Sequence, residues 1–120
     1  MRTRLLLMLS LGLSSAACAH TSAVRYVKLV NTTKSSITSF GIASAGGTDF
    51  REAAIGNALH GGGESATVAI RDDGSCVRDL RTVFADGRVL IEPGFDVCKR
   101  DRYQPALSRA RGNRALVAQP

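Results

Sequence analysis

Between Val24 and Cys98 the apolar residues recur at the two-residue period of strands, and turn residues interrupt them roughly every eight to twelve positions. Six strands are predicted. Arg25 to Asn31 sets Tyr26, Lys28 and Val30 against Val27 and Leu29, and Ser36 to Ala43 is β-branched and aromatic. Glu64 to Ile70 alternates Ala66, Val68 and Ile70 with Thr67 and Ala69, while Cys76 to Ala85 puts Leu80 and Phe84 on one face. Arg88 to Ile91 follows Asp86-Gly87, a pair suited to a two-residue hairpin turn because Asp-Gly tolerates positive φ. Pro93-Gly94 then reads as a turn into Phe95 to Cys98. The fold class expected is all-β, a small antiparallel sandwich of six to seven strands with one disulfide.

Thr48 to Leu59 breaks the pattern, with Phe50, Ala53 and Asn57-Ala58 at helical spacing between glycine runs; it reads as a short helix or as a long loop. Loops on a rigid scaffold are favoured binding sites, which makes Phe50, Arg51, Asn57 and His60 the candidate binding loop. Asp79 and Arg81 fall on one face of the long strand and form a candidate polar pair, by the plain reading an exposed pair of little energetic weight.

The first nineteen residues have a different character. Arg2 and Arg4, an apolar run from Leu5 to Leu13 and the small residues Ala17-Cys18-Ala19 together form the pattern of a secretory signal peptide, so the mature chain is expected to begin at His20. The run is too short to span a bilayer. A rival reading takes Ser15-Ala16-Ala17-Cys18 as a loose lipobox, with the protein tethered by lipid on Cys18. Removal of Cys18 leaves Cys76 and Cys98, an even pair expected to join in an oxidising compartment, bacterial periplasm or beyond.

Charge divides the chain at the second of these cysteines. From His20 to Cys98 eight Lys or Arg face nine Asp or Glu, whereas Lys99 to Pro120 carries six basic residues and one acid. The domain is therefore expected to span residues 24–100, followed by a basic, disordered tail over 101–120. Arg102, Arg109, Arg111 and Arg114 of that tail are candidates for an anionic surface of lipid headgroups or polymers; nucleic acid is not expected for an exported chain with one aromatic there.

Catalytic patterns fail on context. His60-Gly61-Gly62-Gly63 matches an oxyanion-hole string, but no G-x-S-x-G elbow accompanies it. Asp72-Asp73-Gly74-Ser75 lacks EF-hand spacing, and the glycine runs lack a following Lys-Ser or Lys-Thr. No metal, cofactor or enzymatic activity is expected. Asn31-Thr32-Thr33 is an N-glycosylation sequon in form.

The segment Cys76-Val77-Arg78-Asp79-Leu80 through Asp86-Gly87 to Cys98 resembles a family of small exported bacterial proteins of unknown function, whose pattern is C-x-x-D, a short strand, D-G and a second cysteine. The middle loop departs from it, with Phe50 as its aromatic residue where the family has a tryptophan. The resemblance implies the disulfide and a β-fold, and no activity. The function expected is an exported non-enzymatic binding or envelope-associated protein, or alternatively a periplasmic inhibitor or immunity protein.

Overall fold

The computed structural model describes residues 11–14, 23–106 and 109–112. Most of the signal-like segment, with Cys18, and the end of the tail, with Arg114, lie outside them. Among the described residues eight strands form, in chain order: β1 Val24–Asn31, β2 Ile37–Ser44, β3 Arg51–Glu52, β4 Glu64–Arg71, β5 Val77–Phe84, β6 Arg88–Asp96, β7 Arg102–Tyr103 and β8 Arg111–Gly112. They make two sheets, a three-stranded one of order β4-β1-β7 and a five-stranded one of order β3-β2-β5-β6-β8. The chain is thus an all-β sandwich, antiparallel except where β7 runs parallel to β1. No helix of the described residues is long and apolar enough to cross a membrane.

The core follows from alternation. Val27 and Leu29 of β1 and Val68 and Ile70 of β4 face Phe40, Leu80, Phe84, Leu90 and Phe95 across the sandwich. Ile37 and Phe40 differ by an odd number of positions, yet both are buried, because a register shift between Ile37 and Ser39 absorbs the intervening Thr38. Cys76 and Cys98 are joined as expected, with Cα atoms 5.2 Å apart. A loop of this length contributes about 3 kcal/mol by restricting the unfolded chain. The bond is consistent with an oxidising compartment.

Three expectations need correcting. Pro93-Gly94 makes no turn: β6 runs through it as one strand. Arg78 pairs with Phe95 and Leu80 with Glu92, so two residues of β6 oppose Asp79 alone, and Gly94 takes φ +70° in the resulting bulge. The hairpin before β6 is a three-residue loop, Ala85-Asp86-Gly87, in which Gly87 alone has positive φ and donates its amide to the Phe84 carbonyl. Arg88 holds the Asp86 carboxyl below its ordinary pKa, through a side-chain bond of 2.8 Å.

The third correction concerns the domain end. The fold continues past Arg100, because β1 leaves one edge open and Arg102–Tyr103 pairs with it. Tyr103 is buried against Phe40 and, edge-on, against Phe95, and Pro105 is buried beyond it. Burial and the nearby Glu92 carboxylate push the Tyr103 phenol up to about 12, against a weaker pull from Thr82. The two hydroxyls are both buried and fall short of hydrogen-bonding geometry. Burial favours the neutral phenol, so the stability it supports is complete below the free tyrosine value and is lost as pH rises from about 10 to about 12. That loss should reach about 2 kcal/mol by pH 12, read from urea midpoints at about pH 9 and pH 12. Tyr103→Phe should abolish this component and leave neutral-pH stability within about 1 kcal/mol, since no hydrogen bond is lost.

Candidate functional site

The two sheets do not end together. Among the described residues, sheet order leaves β4 without a neighbour on its outer side, while β2 and the 44–53 segment continue on the opposite sheet. Between them lies a groove of about 640 Å³. One wall is the end of β4 and its following turn, Ala69 to Asp73; the other is Ile42 to Ser44 with Thr48, Asp49 and β3.

Arg78 bridges the walls. In β5 it is in phase with the buried Leu80 and Phe84, which turns it inward, and its place at the strand's start lets the guanidinium reach the groove. Its Nη2 donates to the Arg71 carbonyl at 2.8 Å and meets Asp73 Oδ1 at 2.6 Å. The side chain is only 8% exposed and its Nε has no partner. The inward phase of position 78 is legible in the sequence, but a charge at strand spacing does not by itself disclose a site.

Asp79 turns to the other face of β5 and is buried as well, at 8% exposure. Its Oδ2 accepts the Gly46 amide at 2.9 Å and its Oδ1 the Gly94 amide at 3.0 Å. One carboxylate therefore fixes both the turn after β2, which borders the groove, and the bulge of β6. Both glycines have positive φ, at +76° and +70°, where any side chain would be strained. Asp79 does not partner Arg81. Arg81 lies across Gly41 with its guanidinium 5.0 Å from the centre of the Phe50 ring, and Nη2 meets Glu52 Oε1 at 3.5 Å. The plain reading of an exposed ion pair is thus replaced by two separate structural roles. A Cβ at position 41 would meet Phe50 Cβ at 3.2 Å, so this stack depends on glycine there.

The segment Thr48 to Leu59 is neither helical nor free of the sheet. Arg51 and Glu52 pair with Ile42 and Gly41, Ala53 donates to the Phe40 carbonyl, and Leu59 bridges to Ile37. Its candidate residues do not converge. Arg51 lines the groove, and Phe50 carries Arg81. Asn57 is exposed on the stretch between, and His60 lies beyond Leu59, where its amide and ring bond the Glu64 carboxylate. Asn31 occupies that same end of the fold, fully buried. Its Nδ2 donates to the Ser35 and Leu59 carbonyls at 2.8 Å each, and Oδ1 accepts the Thr33 amide at 3.1 Å beside the Thr33 hydroxyl. The folded chain offers this nitrogen to no glycan.

The tail cations separate as well. Arg102 points outward from β7, Arg109 pairs with Glu92 at 3.2 Å, and Arg111 begins β8. The one grouping of metal-capable atoms among the described residues is Cys76, Asp96 and Cys98. Both sulfurs are in the disulfide, and Asp96 Oδ1 accepts the Cys98 and Lys99 amides.

Backbone direction decides what the groove can hold. The Asp72 amide donates to the Ala23 carbonyl, and the ladder of β1 with β4 keeps a single register. Antiparallel alternation therefore turns the amides and carbonyls of Ala66, Val68 and Ile70 toward β1, and those of Ser65, Thr67, Ala69 and Arg71 outward. Arg78 occupies only the last of these carbonyls. Asp49, Glu52, Asp72 and Asp73 offset Arg51, Arg71 and Arg78 in the lining, so the groove has no strong net charge. An unpaired, regular strand edge above a near-neutral groove is suited to another polypeptide strand. No protein-family model, curated protein or solved structure matches the chain.

Proposed function

We propose that the protein is an exported, non-enzymatic binding module that captures an extended polypeptide segment on the free edge of β4, with the segment's inward side chains in the adjoining groove. The observation that carries this reading is the mismatch of the sheets: three strands face five, and among the described residues the smaller sheet ends at β4, with the outward amides and carbonyls of Thr67 and Ala69 open. Backbone bonds to Thr67 and Ala69 supply affinity, and alternate side chains of the guest, small and apolar, fill the space beside Ile42, Ala53 and Ile70. Export to an oxidising compartment of a bacterium belongs to the same proposal, supported by the amino-terminal pattern and the disulfide.

A displayed library of random peptides tests it, selected against the disulfide-bonded chain and against an Ala69→Pro variant. The Ala69 amide faces away from β1, so proline there removes an outward donor while leaving the β1 ladder intact and stability within about 1 kcal/mol. Peptides that bind the natural chain should bind the variant at least tenfold more weakly. Equal binding to both would overturn the proposal.

A further inference from the structure

The outer face of the three-stranded sheet is a second surface, which meets the groove at its rim through Ala69 and Arg71. The alternation that buries Val27, Leu29, Val68, Ile70 and Tyr103 turns Tyr26 and Lys28 of β1, Arg71 of β4 and Arg102 of β7 outward. Lys28 is the direct neighbour of Arg102 across the parallel pair, and Arg71 lies opposite Val24, two positions before Tyr26. Tyr26 is 63% exposed, the most exposed aromatic among the described residues of these strands. It stands between the cations in a row about 13 Å long at strand spacing.

Carboxylates are absent from this row. Glu64, the one acid in the three strands, shares the inward register of Asn31 and is held by His60. Arg25, also on the inward register, is matched by Asp72 at 3.8 Å. Beside Tyr26 a shallow depression of about 410 Å³ is bordered by Lys99, Arg100 and Asp101. The Arg100 guanidinium rests 4.4 Å from the centre of the Phe95 ring, which leaves Lys99 as the further cation at its rim.

From this arrangement we infer that the outer face of β4-β1-β7 binds an acidic polysaccharide. The surface offers an exposed ring flanked by cations, and a linear polymer of carboxylated sugar rings offers the complement. The apolar face of one sugar lies on Tyr26, while carboxylates on either side meet Arg71 and the Lys28–Arg102 pair, the guanidinia as bidentate donors. A bilayer is a poorer match, because insertion needs a broader apolar patch than Tyr26 and the half-exposed Val24 provide. The tail cations expected to serve an anionic surface thus contribute one member, Arg102, to a site built mainly by the sheet.

The test uses the disulfide-bonded chain and polygalacturonate, with uncharged dextran and vesicles of phosphatidylglycerol and phosphatidylcholine as comparison probes, read by calorimetry. Polygalacturonate should bind at about 50 mM salt and weaken at least tenfold by about 300 mM, while dextran does not bind. Lys28→Glu with Arg102→Glu should weaken binding at least tenfold. Tyr26→Ala should weaken it severalfold with the salt dependence unchanged, and Arg51→Glu in the groove should leave it unaltered. All these positions are on the surface, so unchanged circular dichroism confirms that each variant is folded. The inference is overturned if polygalacturonate fails to bind, if both face variants bind like the natural chain, or if the chain binds the anionic vesicles and not the polysaccharide.

Discussion

Replacing Asp79 by alanine is expected to lower the free energy of unfolding by about 4 kcal/mol, more than half the stability typical of a domain this small. The magnitude rests on two charge-assisted hydrogen bonds, to the Gly46 and Gly94 amides, made by a carboxylate that is almost wholly buried. Without the carboxylate both amides lose the partner that holds the Gly46 turn and the Gly94 bulge against β5. Asp79→Asn separates charge and geometry from volume. An amide side chain offers one oxygen, so it can accept from one glycine only and must turn its NH2 toward the other donor. The Asn variant should therefore lose nearly as much as the Ala variant in guanidinium unfolding. A neutral result for Asn would mean that the two bonds contribute little. The effect also reaches the proposed site, because the turn held through Gly46 is a wall of the groove.

Asn31→Ala is expected to cost a similar amount, about 4 kcal/mol, at the opposite end of the sandwich. Here the loss is distributed over neutral bonds, each contributing about 1 kcal/mol, and the groups left behind include two carbonyls and an amide that the side chain had satisfied. Asn31→Asp is the sharper variant. It retains the Thr33 contacts but presents an acceptor oxygen to the Ser35 and Leu59 carbonyls, and so should destabilise at least as strongly as alanine. Thermal unfolding of the three chains checks the order. If Asp proves milder than Ala, the donated bonds to Ser35 and Leu59 are not what hold this end together.

The sequence discloses those parts of the fold that depend on local pattern. β1 and β4 follow from alternation, β5 from the shared face of Leu80 and Phe84, and the Cys76–Cys98 bridge from cysteine count and compartment. What escapes are features set by partners distant in the chain. Pro93-Gly94 has the composition of a turn, and only Asp79, fifteen positions earlier, makes it a bulge within a continuous strand. Tyr103 stands in a basic run with no apolar period, and it is buried because β1 has an open edge and the Phe40 and Phe95 rings leave a place for it. β3 is two residues long, tied down by pairing to β2 and by the stack of Phe50 on Arg81 rather than by strand propensity.

The same distinction applies to the candidate site. Of the four loop residues expected to gather there, only Arg51 lines the groove, whereas Arg71 and Arg78 join it from strands read as ordinary sheet. The C-x-x-D element gains a physical meaning: its cysteine staples the start of β5 to the end of β6, and its aspartate holds the Gly46 turn on one side of β5 and the Gly94 bulge on the other. A sheet edge, by contrast, has no sequence signature. That β4 is unpaired on one side is a property of strand order.

Amide hydrogen exchange along β4, resolved residue by residue in the free chain and again with a selected peptide, tests the open edge most directly. The free chain should show two-residue periodicity, with Thr67 and Ala69 exchanging quickly and Ala66, Val68 and Ile70 slowly, and the peptide should protect Thr67 and Ala69. Thr67 and Ala69 already slow in the free chain, or unprotected when the peptide is bound, would contradict capture of a strand at this edge.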